Sequence, residues 1–472
     1  MDEPKHPAQD ESKESKSPCV LLRGRENWLA RVWKGESKDI TPEIVANIRQ
    51  EARALCAQWL KMQNVCAFIG AGASKYVAGF IGRELYSRVE KILAERPTGE
   101  TLRVLVKHVA DPKGLGTSFE EFLSRLTDIS RLLEGNAGPL GQLASNWEIK
   151  DLGKGKAAGE KLKKLLLDIE RAIGVICNIK LPGSGLTLAD KGLTSHETFL
   201  AKLVSRDPHQ GRGRLFTINY DTLLEQAMDR LGILYNDGFS GTVTRRFNPA
   251  SYDLDLYYPG EVSAGRVQRY DKVLHLYKMH GSINWRRSVP QAGDPFGILV
   301  DPRPLPTEQE VGAGPTLLDH IFVDPSSGRS DETLAILPTA AKYGESLSMP
   351  YAHLFRAMAQ VLREPQTACF VAGYSGWDAH INRIIEDSLT NPGFTCVIVN
   401  PTLTEWARRL VCADYCGRVY AFAGDWGKFE FFAQDMLPDL EILRTDLAIA
   451  KTLRDLQTAR ESEDNKSDDN AF

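Results

Sequence analysis

Two polar motifs in this chain follow apolar runs and carry side chains that could do chemistry on a bound ligand. Asn219 and Asp221 come after the run 214–217, and His280 comes after the run 273–279. Asn and Asp are poor strand residues, so their place at a strand end needs a reason. Capping of the next helix by Asp221 is the simplest reason, and a lone histidine is more often structural than catalytic. The alternative is a polar crevice in which the amide orients a water or a ribose hydroxyl and the imidazole moves a proton.

A glycine-rich loop after an earlier apolar run predicts contact with phosphate. The run 65–69 leads into the sequence Gly70, Ala71, Gly72, Ala73, Ser74. Backbone amides in such a loop can approach a phosphate closely because glycine has no β-carbon. A tight strand-to-helix turn would explain the two glycines equally well. We predict that the loop holds a dinucleotide of the NAD type.

Two further strand ends carry residues that suit the rest of such a ligand. Gly373, Tyr374 and Ser375 follow the run 368–372, with Asp378 shortly after them, and Asn400 follows the run 396–399. Gly373 and Ser375 could line a second phosphate or ribose contact, and Asn400 could hydrogen-bond a ribose or the adenine. Turn formation and helix capping explain the same residue types, and Asp378 is expected to start a helix.

The elements that must position these residues are predicted to form a doubly wound, Rossmann-like parallel sheet of the α/β class. The five runs are apolar on both faces, as central parallel strands covered by helices are, and most are followed by a helical pattern. In such sheets the ligand lies beyond the carboxyl ends of the strands. We therefore expect all five polar strand ends to face one crevice.

The rest of the chain divides by composition. We expect a disordered arm over 1–18, a main domain over 19–430 with a helical insertion at about 114–204 between the first two strands, a C-terminal helical segment over 431–458, and a disordered acidic tail over 459–472. The Pro- and Gly-rich stretch 289–331 is expected to be a surface excursion or lid.

Composition limits the function classes. With 472 residues and a net charge of −4, the chain offers no electrostatic case for direct binding of nucleic acid. It shows no secretory signal and no apolar stretch long enough for a membrane span. The eight cysteines lack zinc-ligand spacing, so we expect no metal and a reducing, cytoplasmic location.

Taken together and in this order, the motifs resemble the SIR2-like family, the branch related to sirtuins but without their deacylase apparatus. The matching residues are Gly70 to Ser74, Thr217 to Asp221, His280 to Trp285, Gly373 to Ser375 with Asp378, and Val399 to Pro401. The resemblance implies NAD+ binding and cleavage of its glycosidic bond to nicotinamide. It also implies that Asn219 positions the water or ribose, Asp221 contacts the nicotinamide end, and His280 is the general base.

By the same resemblance, the remaining site residues hold the cofactor: Gly70, Ala71, Gly72, Ser74, Thr217, Gly373, Tyr374, Ser375, Asp378 and Asn400. Two departures stand out. The chain lacks the paired cysteine motifs of sirtuin deacylases. The stretch 75–83 differs from the sequence that forms their nicotinamide pocket. Within this stretch we select Phe80 as the residue that packs on nicotinamide. No acidic residue stands at the end of an obvious second strand about 20 residues after the glycine loop, where a hydride-transfer dinucleotide fold usually has one, so hydrolysis is favoured over redox chemistry.

The resemblance also implies a biological setting, because many bacterial members of this branch are antiphage effectors that deplete cellular NAD+ when triggered. We therefore expect an NAD+ glycohydrolase that acts as a homo-oligomer or with a separately encoded activating or inhibiting protein, such as an ATPase. The alternatives are an NAD-dependent protein deacylase and a non-catalytic sensor of NAD or ADP-ribose within a defence complex.

Overall fold

The computed structural model describes most of the chain with defined gaps. The described residues are 20–23, 42–77, 79, 82–109, 119–133, 148–149, 152–183, 192–207, 209–258, 269–288, 290, 294–301, 303–321, 351–413, 417–441 and 443. The predicted arm 1–18, the predicted tail 459–472 and Phe80 lie outside them. Of the predicted C-terminal helical segment, only 431–441 and 443 are described.

The described strands form one large sheet and two small ones. The strands are β1 (Val20–Arg23), β2 (Asn64–Ile69), β3 (Glu148–Ile149), β4 (Gly153–Lys154), β5 (Gly213–Thr217), β6 (Leu234–Asn236), β7 (Phe239–Ser240), β8 (Arg246–Phe247), β9 (Val273–Lys278), β10 (Trp285–Arg287), β11 (Ile298–Val300), β12 (Thr367–Ala372), β13 (Phe394–Val399) and β14 (Val419–Ala423). The large sheet has the order β1-β14-β13-β12-β2-β5-β9-β6. Seven of its strands are parallel, and β1 pairs antiparallel with β14.

The helices are α1 (Pro42–Leu60), α2 (Gly82–Leu93), α3 (Pro97–Val109), α4 (Phe119–Leu133), α5 (Gly155–Ile176), α6 (Ser195–Val204), α7 (Leu223–Leu231), α8 (Glu308–Ala313), α9 (Tyr351–Val361), α10 (Ala379–Ser388), α11 (Glu405–Cys412) and α12 (Phe429–Phe431). Shorter helical turns cover Ala71–Val77, Pro249–Asp253, Pro315–His320, Gly424–Gly427 and Phe432–Met436. None of the helices in the described part of the chain combines the length and the apolar character that crossing a membrane requires.

The sequence prediction of an α/β, doubly wound parallel sheet is confirmed. Every residue of β2, β9 and β12 is buried, because these strands are covered on both faces. Chain order runs from β2 to β5 and β9 on one side, and then returns to β12 and β13 on the other side. The glycine loop after β2 therefore lies at the topological switch point, where ligands bind in open α/β sheets.

The helical segment between β2 and β5 has a hydrophobic core of its own. Helices α2, α3, α4 and α5 bury residues such as Val89, Phe122 and Ile169 against one another, apart from the core of the large sheet. Helices α2 and α3 begin before residue 114, so the helical segment is longer than the predicted 114–204. The sequence pattern placed its start too late because amphipathic helices directly after the glycine loop look like the crossover of an ordinary β-α-β unit.

The stretch 289–331 contains more regular structure than its composition indicates. In its described part, β11 joins β10, β8 and β7 in a four-stranded antiparallel sheet, and α8 begins at a capping box formed by Thr307 and Glu310. Val311 and Leu318 then pack on the core of the helical segment. This part of the stretch therefore connects the helical segment to the small antiparallel sheet.

Candidate functional site

The carboxyl ends of β2 and β5 are linked by the side chain of Asn219. Its Nδ2 donates to the carbonyl oxygen of Gly70 at 3.2 Å and to Oγ of Ser74 at 3.3 Å. Asn219 is only 8% exposed, and its Oδ1 has no hydrogen-bond partner among the described residues. A buried amide oxygen without a partner is costly, so this atom is suited to accept a hydrogen bond from a bound hydroxyl or water.

Thr217 fixes the backbone that carries this asparagine. Its hydroxyl donates to the carbonyl oxygen of Ile69 at 2.8 Å and accepts from the backbone N–H of Asn219 at 3.0 Å. Thr217 is 1% exposed. Its hydroxyl therefore holds the two strand ends together.

Asp221 is connected to Asn219 through Ser74. The hydroxyl of Ser74 donates to Oδ2 of Asp221 at 3.3 Å, and Oδ1 of Asp221 accepts from the backbone N–H of Leu223 at the start of α7 at 3.1 Å. The capping contact expected of an aspartate is thus present, and the second oxygen is used at the site. Burial raises the pKa of Asp221, and the nearby ammonium of Lys278 partly opposes that rise.

Lys278, which was not among the predicted site residues, supports this arrangement from β9. It is 2% exposed, and its Nζ donates to the carbonyl oxygen of Asp221 and, at 2.9 Å, to Oε1 of Glu225. Burial raises the pKa of Glu225 as well, again opposed by Lys278. The only signal in the sequence is a lysine inside an otherwise apolar strand, which requires an acidic or carbonyl partner once buried.

A polar cavity of about 210 Å³ adjoins the Lys278–Glu225 pair on the α7 side. Its lining includes Asp237 and Arg245, which form an ion pair at 2.6 Å. The volume lies below the roughly 300–1,000 Å³ of ordinary ligand pockets. The cavity is therefore too small for a dinucleotide.

Gly70 and Gly72 are required because the loop after β12 packs closely against the loop that contains them. A β-carbon at Gly70 would lie 2.5 Å from the carbonyl oxygen of Gly373, and one at Gly72 would lie 2.9 Å from the same atom. Gly72 donates from its backbone N–H to that oxygen at 2.9 Å, and Gly373 itself has a φ of +65°. Packing of the loops after β2 and β12 thus explains all three glycines, and it brings the two predicted phosphate-contacting segments side by side.

The remaining predicted contacts lie along the loops after β12 and β13. Asn400 donates from Nδ2 to the carbonyl oxygen of Tyr374 at 2.9 Å and is partly exposed. The ring of Tyr374 is 1% exposed and packs edge-on against Phe68 and Trp406, so its side chain belongs to the core. Ser375 is exposed, and Ala71 is partly exposed.

His280 follows β9, the strand that neighbours β5, and Asn219 follows β5. The pair Thr217 and Lys278 is in register, and each of the two side chains stands two residues beyond it. His280 is 4% exposed, its ring centroid is 5.9 Å from that of His380, and Phe355 of α9 contacts both rings. Sequence reasoning did not select His380 or Phe355, because nothing in their spacing relates them to a residue on β9.

The structure thus brings the predicted residues into two groups at one edge of the sheet. Asn219, Ser74 and Asp221 form one hydrogen-bonded chain, and His280 and Asp378 belong to the other, with His380. The backbone loops at Gly70 and Gly373 lie beside the first group.

Residues 213–401 match the family model of the SIR2-like domain. The matched segment includes Asn219, Asp221, His280, Asp378 and Asn400, whereas the glycine loop precedes it. No curated protein sequence matches the chain significantly.

The solved structures that are similar to this chain include two Sir2 homologues. One is a Sir2 homologue in complex with NAD, with a TM-score of 0.38, 12% sequence identity, and coverage of 84% of this chain and 94% of that one. The other is a mutant Sir2 homologue in complex with 2′-O-acetyl ADP ribose, with a TM-score of 0.34, 13% identity, and coverage of 84% and 97%.

Proposed function

We propose that this chain is an NAD+ glycohydrolase that releases nicotinamide and ADP-ribose. The observation that carries the proposal is the side chain of Asn219, which is nine-tenths buried at the carboxyl edge of the sheet with Oδ1 unpartnered among the described residues. A fixed amide oxygen at that place can orient the ribose or the attacking water. The match of residues 213–401 to the SIR2-like domain supports NAD+ as the ligand.

The proposed chemistry needs positioning and charge stabilisation more than a strong nucleophile. Nicotinamide leaves as an oxocarbenium-like ribose develops, and water then captures the ribose. Asn219 would hold the water or the ribose, and His280 would accept the proton of the water. Asp221, kept in place by Ser74 and Leu223, would contact the nicotinamide carboxamide.

The cofactor contacts are proposed on the same edge. Gly70, Ala71, Gly72, Ser74 and Gly373 would surround the pyrophosphate, and Ser375 and Asn400 would contact the adenosine portion. Asp378, which lies beside His280, would contact the cofactor at the ribose next to nicotinamide. Thr217 and Tyr374 would act through the backbone that they hold, because both side chains are buried in contacts within the protein.

The proposed biological role is that of a triggered antiviral-defence effector that depletes cellular NAD+. It rests on the resemblance of the ordered motifs to that branch. The helical segment of α2 to α5, with its separate core, is the proposed surface for a second copy of the chain or for a separately encoded activating or inhibiting protein such as an ATPase.

The test is incubation of the purified full-length chain with NAD+, with nicotinamide and ADP-ribose followed by chromatography, with and without an acylated lysine peptide. Peptide-independent release of both products supports the proposal. Release that requires the peptide assigns a deacylase instead. Binding of NAD+ without turnover, both in the isolated chain and in infected cells that express it, assigns a sensor.

A further inference from the structure

A second cluster of ligand-type side chains lies at the edge of the same crevice. His280 follows β9, whereas Asp378 and His380 stand at the start of α10. One potential ligand atom from each of the three residues lies within 4.8 Å of the other two. The sheet brings these residues together from segments that are far apart in the chain.

The carboxylate of Asp378 does not cap the helix α10, which begins at the next residue. Asp378 occupies the N-cap position of α10, where aspartate normally accepts a hydrogen bond from the first turn of the helix. Its side chain makes no such capping bond. One of its carboxylate oxygens lies within 4.8 Å of a ring nitrogen of each of the two imidazoles.

The backbone of Asp378 is held firmly by the core. The hydroxyl of Tyr374 accepts a hydrogen bond from the backbone N–H of Asp378 at 3.2 Å and donates one to Oδ1 of Asn382 at 2.8 Å. Asn382 in turn donates to the carbonyl oxygen of Gly376 at 2.7 Å. This support from a second layer of residues is typical of side chains that must keep a fixed orientation toward a ligand.

The two histidine rings share an apolar neighbour. The ring of Phe355 lies 4.9 Å from that of His380, edge to face, and 6.4 Å from that of His280. His280 is buried, and His380 is partly exposed. The cluster therefore has an aromatic ring on one side, and two of its three residues are partly exposed.

We propose that His280, Asp378 and His380 bind a divalent transition-metal ion of the Zn²⁺ class. Two imidazole nitrogens and one carboxylate oxygen form a donor set that Zn²⁺ and its neighbours favour, whereas Ca²⁺ and Mg²⁺ prefer oxygen donors alone. Ligand atoms around tetrahedral Zn²⁺ lie about 3.5 Å apart, so small side-chain rotations close the present arrangement onto the ion. Three protein ligands leave a fourth position open.

From the sequence, no metal site was expected at His280, Asp378 and His380. The expectation of no metal depended on the spacing of the cysteines. Cys412 is exposed and could bind zinc adventitiously through its thiol. Any test must therefore separate thiol binding from binding by the cluster.

The first experiment measures binding alone. The full-length chain is stripped with a chelator, dialysed, and titrated with Zn²⁺ by calorimetry and with Co²⁺ by visible absorption, which reports the ligand geometry. We expect one equivalent to bind, with a nitrogen- and oxygen-ligated Co²⁺ spectrum. Absence of binding at any metal concentration up to that at which the protein precipitates would overturn the proposal.

Two variants of the cluster and two control variants test the assignment. Asp378→Asn and His380→Ala should each weaken binding by at least about tenfold, while Cys412→Ser and His353→Ala should leave it unchanged. His353 is a matched histidine on α9 outside the cluster, stacked near Tyr252. Equal affinity in Asp378→Asn, His380→Ala and the parent, with circular dichroism unchanged, overturns the proposal, as does loss of binding in Cys412→Ser.

A consequence for regulation rests on the proposed NAD+ cleavage. A metal ion on His280 occupies the lone pair that would accept the proton of the water, so Zn²⁺ should inhibit nicotinamide release. His380→Ala should require at least about tenfold more Zn²⁺ for half inhibition, relative to its own rate without metal. If no NAD+ is cleaved under any condition but metal still binds, the proposed function fails and the metal site stands. If NAD+ is cleaved and Zn²⁺ neither binds nor inhibits, only the metal site fails.

Discussion

The side-chain amide of Asn219 donates a hydrogen bond to the carbonyl oxygen of Gly70 across the carboxyl ends of two parallel strands, at 3.2 Å. This bond joins the motif after β5 to the glycine loop after β2. Ser74 extends the connection to Asp221. A residue predicted to act on a ligand is thus held by the loop predicted to bind the same ligand.

Replacement of Asn219 by Ala should abolish NAD+ cleavage with little loss of stability. The rate of nicotinamide release should fall by about 100-fold or more, in line with removal of one positioning donor or acceptor. The two lost hydrogen bonds cost about 1 kcal/mol each, but the variant also loses the unpartnered Oδ1. Chromatography of the products and thermal unfolding measure the two effects. Cleavage at the parental rate would show that Asn219 has been wrongly assigned.

Replacement of His280 by Ala should also abolish cleavage, because it removes the imidazole that is proposed to accept the proton of the water. His353→Ala is the matched control, since His353 contacts Tyr252 rather than the site. The expected loss for His280→Ala is about 100-fold or more, and the control should retain the parental rate. Circular dichroism checks that both variants are folded. An active His280→Ala protein would contradict the role of general base.

Asp221 offers a test by pH. Burial raises its pKa above the ordinary value of 3.8, so the folded protein binds this proton more tightly than the unfolded chain does. Its ionisation therefore lowers the free energy of unfolding as the pH rises through the window above 3.8. Asp221→Asn should become more stable relative to the parent as the pH rises above about 4, while losing NAD+ cleavage. Urea unfolding at several pH values measures the difference, and a stability difference that stays constant with pH would contradict the prediction.

Replacement of Gly70 by Ala should destabilise the protein and abolish NAD+ binding. The added β-carbon would lie 2.5 Å from the carbonyl oxygen of Gly373. Such overpacking typically costs about 1–3 kcal/mol, and it would separate the two loops. The control is Gly312→Ala in α8, where the β-carbon meets nothing within 4 Å and should stabilise the helix by up to about 1 kcal/mol. Denaturant unfolding and NAD+ calorimetry provide the measurements; a Gly70→Ala protein that matches the parent in both would be inconsistent with close packing of the loops.

His196 should make the protein sensitive to acid. It is 1% exposed, its Nδ1 lies 2.7 Å from the hydroxyl of Tyr76, and burial lowers its pKa from 6.5 to about 3. The unfolded chain therefore takes up this proton first as the pH falls below 6.5, and the free energy of unfolding decreases from there down to about pH 3. His196→Gln should flatten this part of the stability profile. An acid dependence as steep as that of the parent would contradict the prediction.

The sequence by itself determined the fold class and the edge at which the site lies. Runs such as 65–69 and 368–372 are apolar on both faces, which only a strand covered on both sides tolerates, and the polar residues follow them directly. Once the strands are parallel, their carboxyl ends must share one edge, so Asn219 and His280 could be placed together without coordinates. Three strands of the large sheet, β1, β6 and β14, were not predicted. Of these, β1 and β6 are short edge strands, which carry little periodic signal.

Only the tertiary structure decided which side chains touch. The pairing of Gly70 with Gly373, the buried Lys278 between Asp221 and Glu225, and the meeting of His280 with His380 all depend on strand order. Strand order is set by long-range packing, which leaves no local pattern in the chain. The sequence could therefore specify the kind of residue at each strand end, whereas the distances between those residues exist only after the sheet has formed.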